Sequence, residues 1–87
     1  KEKLDKYRSL TAKALEIAKK SIAKNKEKEA KEIIDMVENY ASDSEYFEKK
    51  KDLVNAFAAL NYAHGWLDAG ARLSIFNVKD DKLFTVK

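Results

Sequence analysis

Apolar residues recur at three- and four-residue steps along most of this chain, and no proline interrupts them. Because one turn of an α-helix takes 3.6 residues, this spacing places the apolar side chains on one face of a helix. The chain has only two glycines, which argues against turn-rich sandwiches and barrels. The spacing therefore predicts an all-α fold.

Three segments of similar length carry this pattern. Asn25 is the expected end of the first helix, because asparagine tolerates the left-handed conformation that ends helices. Asp52 has the residue type of an N-cap and is expected to begin the third. Equal helices joined by tight turns predict an up-down-up three-helix bundle, a single domain over residues 1–87, with a C-terminal tail at 75–87. The predicted helices cover about residues 2–24, 26–50 and 52–74.

Charge is distributed unevenly along the chain. Residues 1–52 hold 26 charged side chains, whereas residues 53–78 hold two, Asp68 and Arg72. The overall net charge of +3 is too balanced to identify nucleic acid as the partner. The apolar arc of the third helix is wide, and we expect two helices and a short tail to leave part of it uncovered.

Several classes of function are disfavoured by composition. The absence of cysteine excludes a disulfide framework, a thiolate nucleophile and a cysteine-based zinc site. His64 is the only histidine, which removes most histidine-based catalysis and metal binding. No apolar run approaches the roughly 18 residues of a membrane span, and nothing resembles a signal peptide. We expect a cytoplasmic protein with no cofactor, no catalytic residue and no membrane partner.

The third helix carries a polar stripe at three- and four-residue steps, with Gly65 beside it. One interpretation is a contact surface that binds a small ligand or a metal ion. A metal needs three or four ligands, and the Glu-x-x-His pairs of carboxylate-bridged bundles are absent. The ordinary solvated face of a surface helix is the favoured alternative. The stripe consists of Asn61, His64, Asp68 and Arg72.

Self-association or binding of another protein is the leading hypothesis for function. It follows from the uncovered apolar arc, and we favour a homodimer over an unknown protein partner. In the alternative arrangement, the tail folds back on its own bundle and gives a monomer. The candidate interface consists of Tyr62, Trp66, Leu73, Phe76, Leu83 and Phe84.

Basic residues along one side of the first helix suggest a second hypothesis. Such a row could contact RNA phosphates without reading sequence. Glu16 and the acidic second helix dilute its field, so nucleic acid is possible but not favoured. The candidate phosphate-contacting residues are Lys6, Lys13, Lys20 and Lys24.

A family resemblance is carried by residues 60–73, especially the run YAHGWLDAG, and by residues 43–47 and 83–86. These residues resemble a small archaeal family known as domain of unknown function 357. The resemblance implies a spectrin-repeat-like three-helix bundle in the cytoplasm, with no established activity. The chain departs from the family pattern at Lys51 and Ser74, where glycine is common.

Overall fold

The computed structural model describes residues 2–78 and Phe84, and its regular structure is three α-helices. Helix α1 spans Glu2–Lys19, α2 spans Glu27–Lys49 and α3 spans Leu53–Arg72. Helix α3 packs along α2 over most of its length, and α1 lies mainly against α3. The predicted all-α three-helix bundle is confirmed.

Helix α1 ends at Lys19, about five residues before the end predicted from Asn25. The following backbone pairs with the segment after α3 instead of continuing the helix. Ala23 N donates to Ile75 O at 2.9 Å, and Asn77 N donates to Ser21 O at 2.7 Å. Since these backbone groups are satisfied by the pairing, the helix gains nothing by extending through them.

Within the described residues, three non-glycine residues adopt positive φ, and each lies in a segment that connects or follows the helices. They are Asn25 at 69°, Lys51 at 62° and Ser74 at 62°. Lys51 precedes Asp52, which caps α3 by accepting a hydrogen bond from Asn55 N at 3.1 Å. The left-handed conformation explains why glycine suits the positions of Lys51 and Ser74.

The core includes residues from beyond α3. Phe76 is 1% exposed and Phe84 is 2% exposed, and both belong to a buried cluster with Val37 and Leu67. Placing these two phenylalanines in the candidate interface was therefore wrong. The chain turns back after α3, with Ile75 N donating to Gly70 O at 2.8 Å, and this turn brings Phe76 inward. The prediction for Leu83 falls outside the described residues.

A buried polar node joins the three helices. Ser44 on α2 is fully buried and donates its hydroxyl proton to Ala56 O of α3 at 2.8 Å. Arg8 of α1 donates to Ser44 Oγ at 2.9 Å and forms an ion pair with Glu48. These contacts fix the register of α1 against the α2–α3 pair.

Candidate functional site

The polar stripe of α3 is divided between the bundle and the solvent. His64 and Asp68 are half-buried, whereas Asn61, Gly65 and Arg72 are exposed. The stripe is therefore not one continuous solvent-exposed surface.

His64 lies in the contact between α3 and α1. Its ring stacks on Tyr7 with centroids 5.9 Å apart, and its Nδ1 lies 3.4 Å from the hydroxyl oxygen of buried Thr11. Its Nε2 lies 3.9 Å from Asp68 Oδ1. Partial burial, followed by the negative charge of Asp68, raises the pKa of Tyr7 above its usual 10.0. This cluster connects two helices, and that structural role accounts for the burial of its members.

A metal interpretation of the stripe gains no support from the geometry. Among residues 2–78 and Phe84, no three histidine or carboxylate side chains are grouped so that they could hold a metal ion. The carboxylates of Asp43 and Glu45 lie exposed on α2.

The four candidate phosphate-contacting lysines do not all lie on α1, where the sequence predicted them. Lys6 and Lys13 are exposed on α1, but Lys20 and Lys24 lie beyond its end, in the loop before α2. The four lysines therefore do not form one helical stripe, because the pairing of residues 21–23 with 75–77 ends the helix early. Neighbouring Lys19 forms an ion pair with Glu38 at 2.9 Å, and this hydrogen-bonded contact raises the lysine pKa.

The outer side of α3 exposes large apolar side chains. Tyr62 is 62% exposed, Leu73 is 68% exposed and Trp66 is 38% exposed. The Tyr62 ring leans on Tyr40 of α2, with centroids 5.4 Å apart. Trp66 borders an open groove of about 420 Å³ whose other walls come from α2. Those walls are Glu32, Ile33, Asp35 and Met36.

The two glycines of α3 have different surroundings. A β-carbon placed on Gly70 would lie 2.6 Å from Phe76 Cδ2, so close packing requires this glycine. Apart from its chain neighbours and the adjoining backbone of α3, a β-carbon on Gly65 would meet no heavy atom of the described residues within 4 Å. Packing within the described part of the bundle therefore does not explain Gly65.

A second groove lies between α1 and α3, and the sequence interpretation missed it. It encloses about 320 Å³ and is lined by Lys3, Lys6, Tyr7, Leu10, Phe57 and Asn61. Leu10 and Lys3 had no assigned role, since Leu10 flanks the main apolar stripe of α1. Leu10, a leucine outside the main apolar stripe and close to a basic residue, is the sequence feature that could have indicated this groove.

The polar node at Ser44 was also missed. Ser44 occupies a core position of α2, in register with Ala30, Ile33 and Val37. A serine at such a position is a signal for a buried hydrogen bond, but the sequence does not name its partners.

The sequence matches the model of a known protein family. A family model described as "Protein of unknown function (DUF357)" matches residues 6–76. The chain belongs to this family. The DUF357 match includes all of α2 and α3, and with them the polar stripe and the exposed side chains of α3. No curated protein and no solved structure matches significantly.

The length and composition of the helices bear on membrane insertion. In the described part of the chain, none of them combines the length and the apolar character that crossing a bilayer requires.

Proposed function

We propose that this protein is a non-catalytic self-associating module that binds a second copy of itself through the outer face of α3. The outer α3 face is defined here as Tyr62, Gly65, Trp66, Ala69 and Leu73. The observation that carries the proposal is the exposure of Tyr62 and Trp66 on α3 and of Leu73 at its C-cap.

Exposed side chains of this size favour burial. Complete burial of a large apolar side chain contributes about 1.5–3 kcal/mol relative to exposure. Aromatic residues are also enriched at the centres of protein interfaces. Burial of the exposed parts of Tyr62, Trp66 and Leu73 in an interface would therefore stabilise a dimer relative to the monomer.

The charge of α3 favours a second copy as the partner. Asp68 and Arg72 are its only charged residues, and Asp68 packs towards α1. A strongly charged partner would find no complementary charge on the outer α3 face, because its five residues are uncharged. Two copies bring no like charges of this face together, and the acids beside Trp66, Glu32 and Asp35, belong to α2. In a two-fold symmetric interface each residue also contributes twice, so three large side chains become six.

Gly65 provides separate support. Glycine in an exposed helix interior costs about 1 kcal/mol relative to alanine. Since no described atom lies near its missing side chain, the monomer gains no packing in return. Close approach of a second helix would use the exposed backbone at this position.

The experiment compares solution masses of matched variants. Trp66→Asp places a charge in the outer α3 face and should dissociate the dimer, while circular dichroism shows helix content largely unchanged. Val54→Asp changes an equally apolar residue of α3 that is 80% exposed and lies outside this face, so it should remain dimeric. Equal masses for both variants would contradict the proposal.

Gly65→Ala distinguishes an effect on self-association from an effect on the stability of the fold. The added methyl should raise the thermal stability of the dilute monomer and weaken self-association. Strengthened or unchanged association would show that no backbone approaches Gly65.

A further inference from the structure

We infer that the groove between α1 and α3 is a binding site for a free anionic amphiphile, a monomeric medium-chain carboxylate. This groove is separate from the outer α3 face, because its walls are α1 and, on α3, Phe57 and Asn61, neither of which belongs to that face. The inference does not depend on self-association.

The floor of the groove suits an alkyl chain. Tyr7, Leu10 and Phe57 are the aromatic and aliphatic residues of its lining. Its volume of about 320 Å³ lies at the lower end of the roughly 300–1,000 Å³ of small-molecule sites. Lys3 and Leu10 are seven residues apart, or about 10 Å along the helix, which sets the length of chain that the floor can cover.

The aromatic rings of the floor argue against a nucleobase as the occupant. Tyr7 already stacks on Phe57, with centroids 6.4 Å apart, and on His64 at 5.9 Å. A base would have to displace one of these rings to stack on Tyr7. An alkyl chain needs only the exposed edges and Leu10.

The rim of the groove suits an anionic head group. Lys3 and Lys6 are exposed at its edge, and no carboxylate of the described residues belongs to its lining. Asp5, which precedes Lys6 in the sequence, lies 3.9 Å from Arg8. Asn61 adds an amide that can donate to a carboxylate oxygen.

The direct test is a titration of the full chain with decanoate below its micellar concentration, followed by ¹H–¹⁵N NMR. Shifts should concentrate at Lys6, Leu10 and Asn61, and the Trp66 indole should stay unchanged. From octanoate to dodecanoate, each added methylene should tighten binding by up to about fourfold until the floor is covered. Shifts that follow Trp66 instead would overturn the assignment.

Variants test the charge and the floor separately. Reversing a charge with Lys6→Glu should weaken decanoate binding about fivefold, the upper end for an exposed ion pair. Lys13→Glu is the matched control, because Lys13 is an exposed lysine of α1 outside the groove lining. Leu10→Asp should abolish binding while circular dichroism shows the helices intact. Equal binding by Lys6→Glu and Lys13→Glu would contradict the role of the rim.

Other occupants give distinct results. Decyltrimethylammonium, with the same chain and opposite charge, should bind more weakly than decanoate. Binding to anionic phosphatidylglycerol vesicles without binding to monomeric decanoate would replace the proposal with a membrane surface. Binding of an acidic amphipathic peptide alone would assign the groove to a protein partner and likewise overturn it.

Discussion

The ring of Phe76 occupies the space that a β-carbon on Gly70 would need, with Phe76 Cδ2 2.6 Å from that position. Gly70→Ala should therefore lower the free energy of unfolding by about 1–3 kcal/mol, the usual range for overpacking a core. Gly65→Ala is the control in the same helix and should raise it by about 1 kcal/mol. Urea denaturation of dilute protein measures both, and two changes of the same sign would contradict this account of the glycines.

Lys51→Gly and Ser74→Gly should each stabilise the fold. A left-handed conformation costs a non-glycine residue about 1–2 kcal/mol, whereas the added chain entropy of glycine costs about 0.5–1 kcal/mol. The net gain should be about 0.5–1 kcal/mol per substitution, measured as a higher midpoint of thermal unfolding. Asn25→Gly should gain less, because asparagine tolerates this conformation. A loss of stability at Lys51 and Ser74 would mean that their φ angles are not positive.

Ser44→Ala should destabilise the bundle by about 1–3 kcal/mol, because it removes the hydrogen bond that Arg8 donates to Ser44 Oγ and the one that Ser44 donates to Ala56 O inside the protein. Ser42→Ala is the matched control, since Ser42 is exposed on the same helix. Chemical denaturation distinguishes the two. Similar small losses would show that the node at Ser44 is open to water.

Tyr7 should make stability fall at alkaline pH. Its pKa is raised above 10.0 in the folded protein, first by burial and then by Asp68. The folded state therefore favours the neutral phenol, and this contribution is fully present below pH 10 and lost as pH rises through the higher folded pKa. Tyr7→Phe should unfold less readily than wild type above pH 10, and exposed Tyr46→Phe should follow the wild type. Identical alkaline profiles for wild type and Tyr7→Phe would refute the effect.

The sequence predicted the positions of the helices better than the structure of the segments that follow α1 and α3. The three- and four-residue spacing was sufficient for α2 and α3, and Asp52 was recognisable as a cap from its residue type. The end of α1 was missed because it depends on pairing between residues 21–23 and 75–77, which are far apart in the chain. The same is true of Phe76, whose burial depends on the turn after α3.

The candidate sites divide in a similar way. The sequence could predict the exposure of Tyr62, Trp66 and Leu73, because α3 has more apolar positions than two neighbouring helices cover. The split of the polar stripe could not be predicted, since it depends on Tyr7 and Thr11 of α1 lying against His64. Spacing within one helix defines a face, but the packing of the other helices decides which part of that face stays exposed.

The most direct test of self-association is sedimentation equilibrium of the wild-type protein from micromolar to millimolar concentration. We expect the mass to rise with concentration from the 10.0 kDa of one chain towards twice that value. We also expect Trp66→Asp to remain at the single-chain mass throughout. A wild-type mass of 10.0 kDa at millimolar concentration would contradict the dimer.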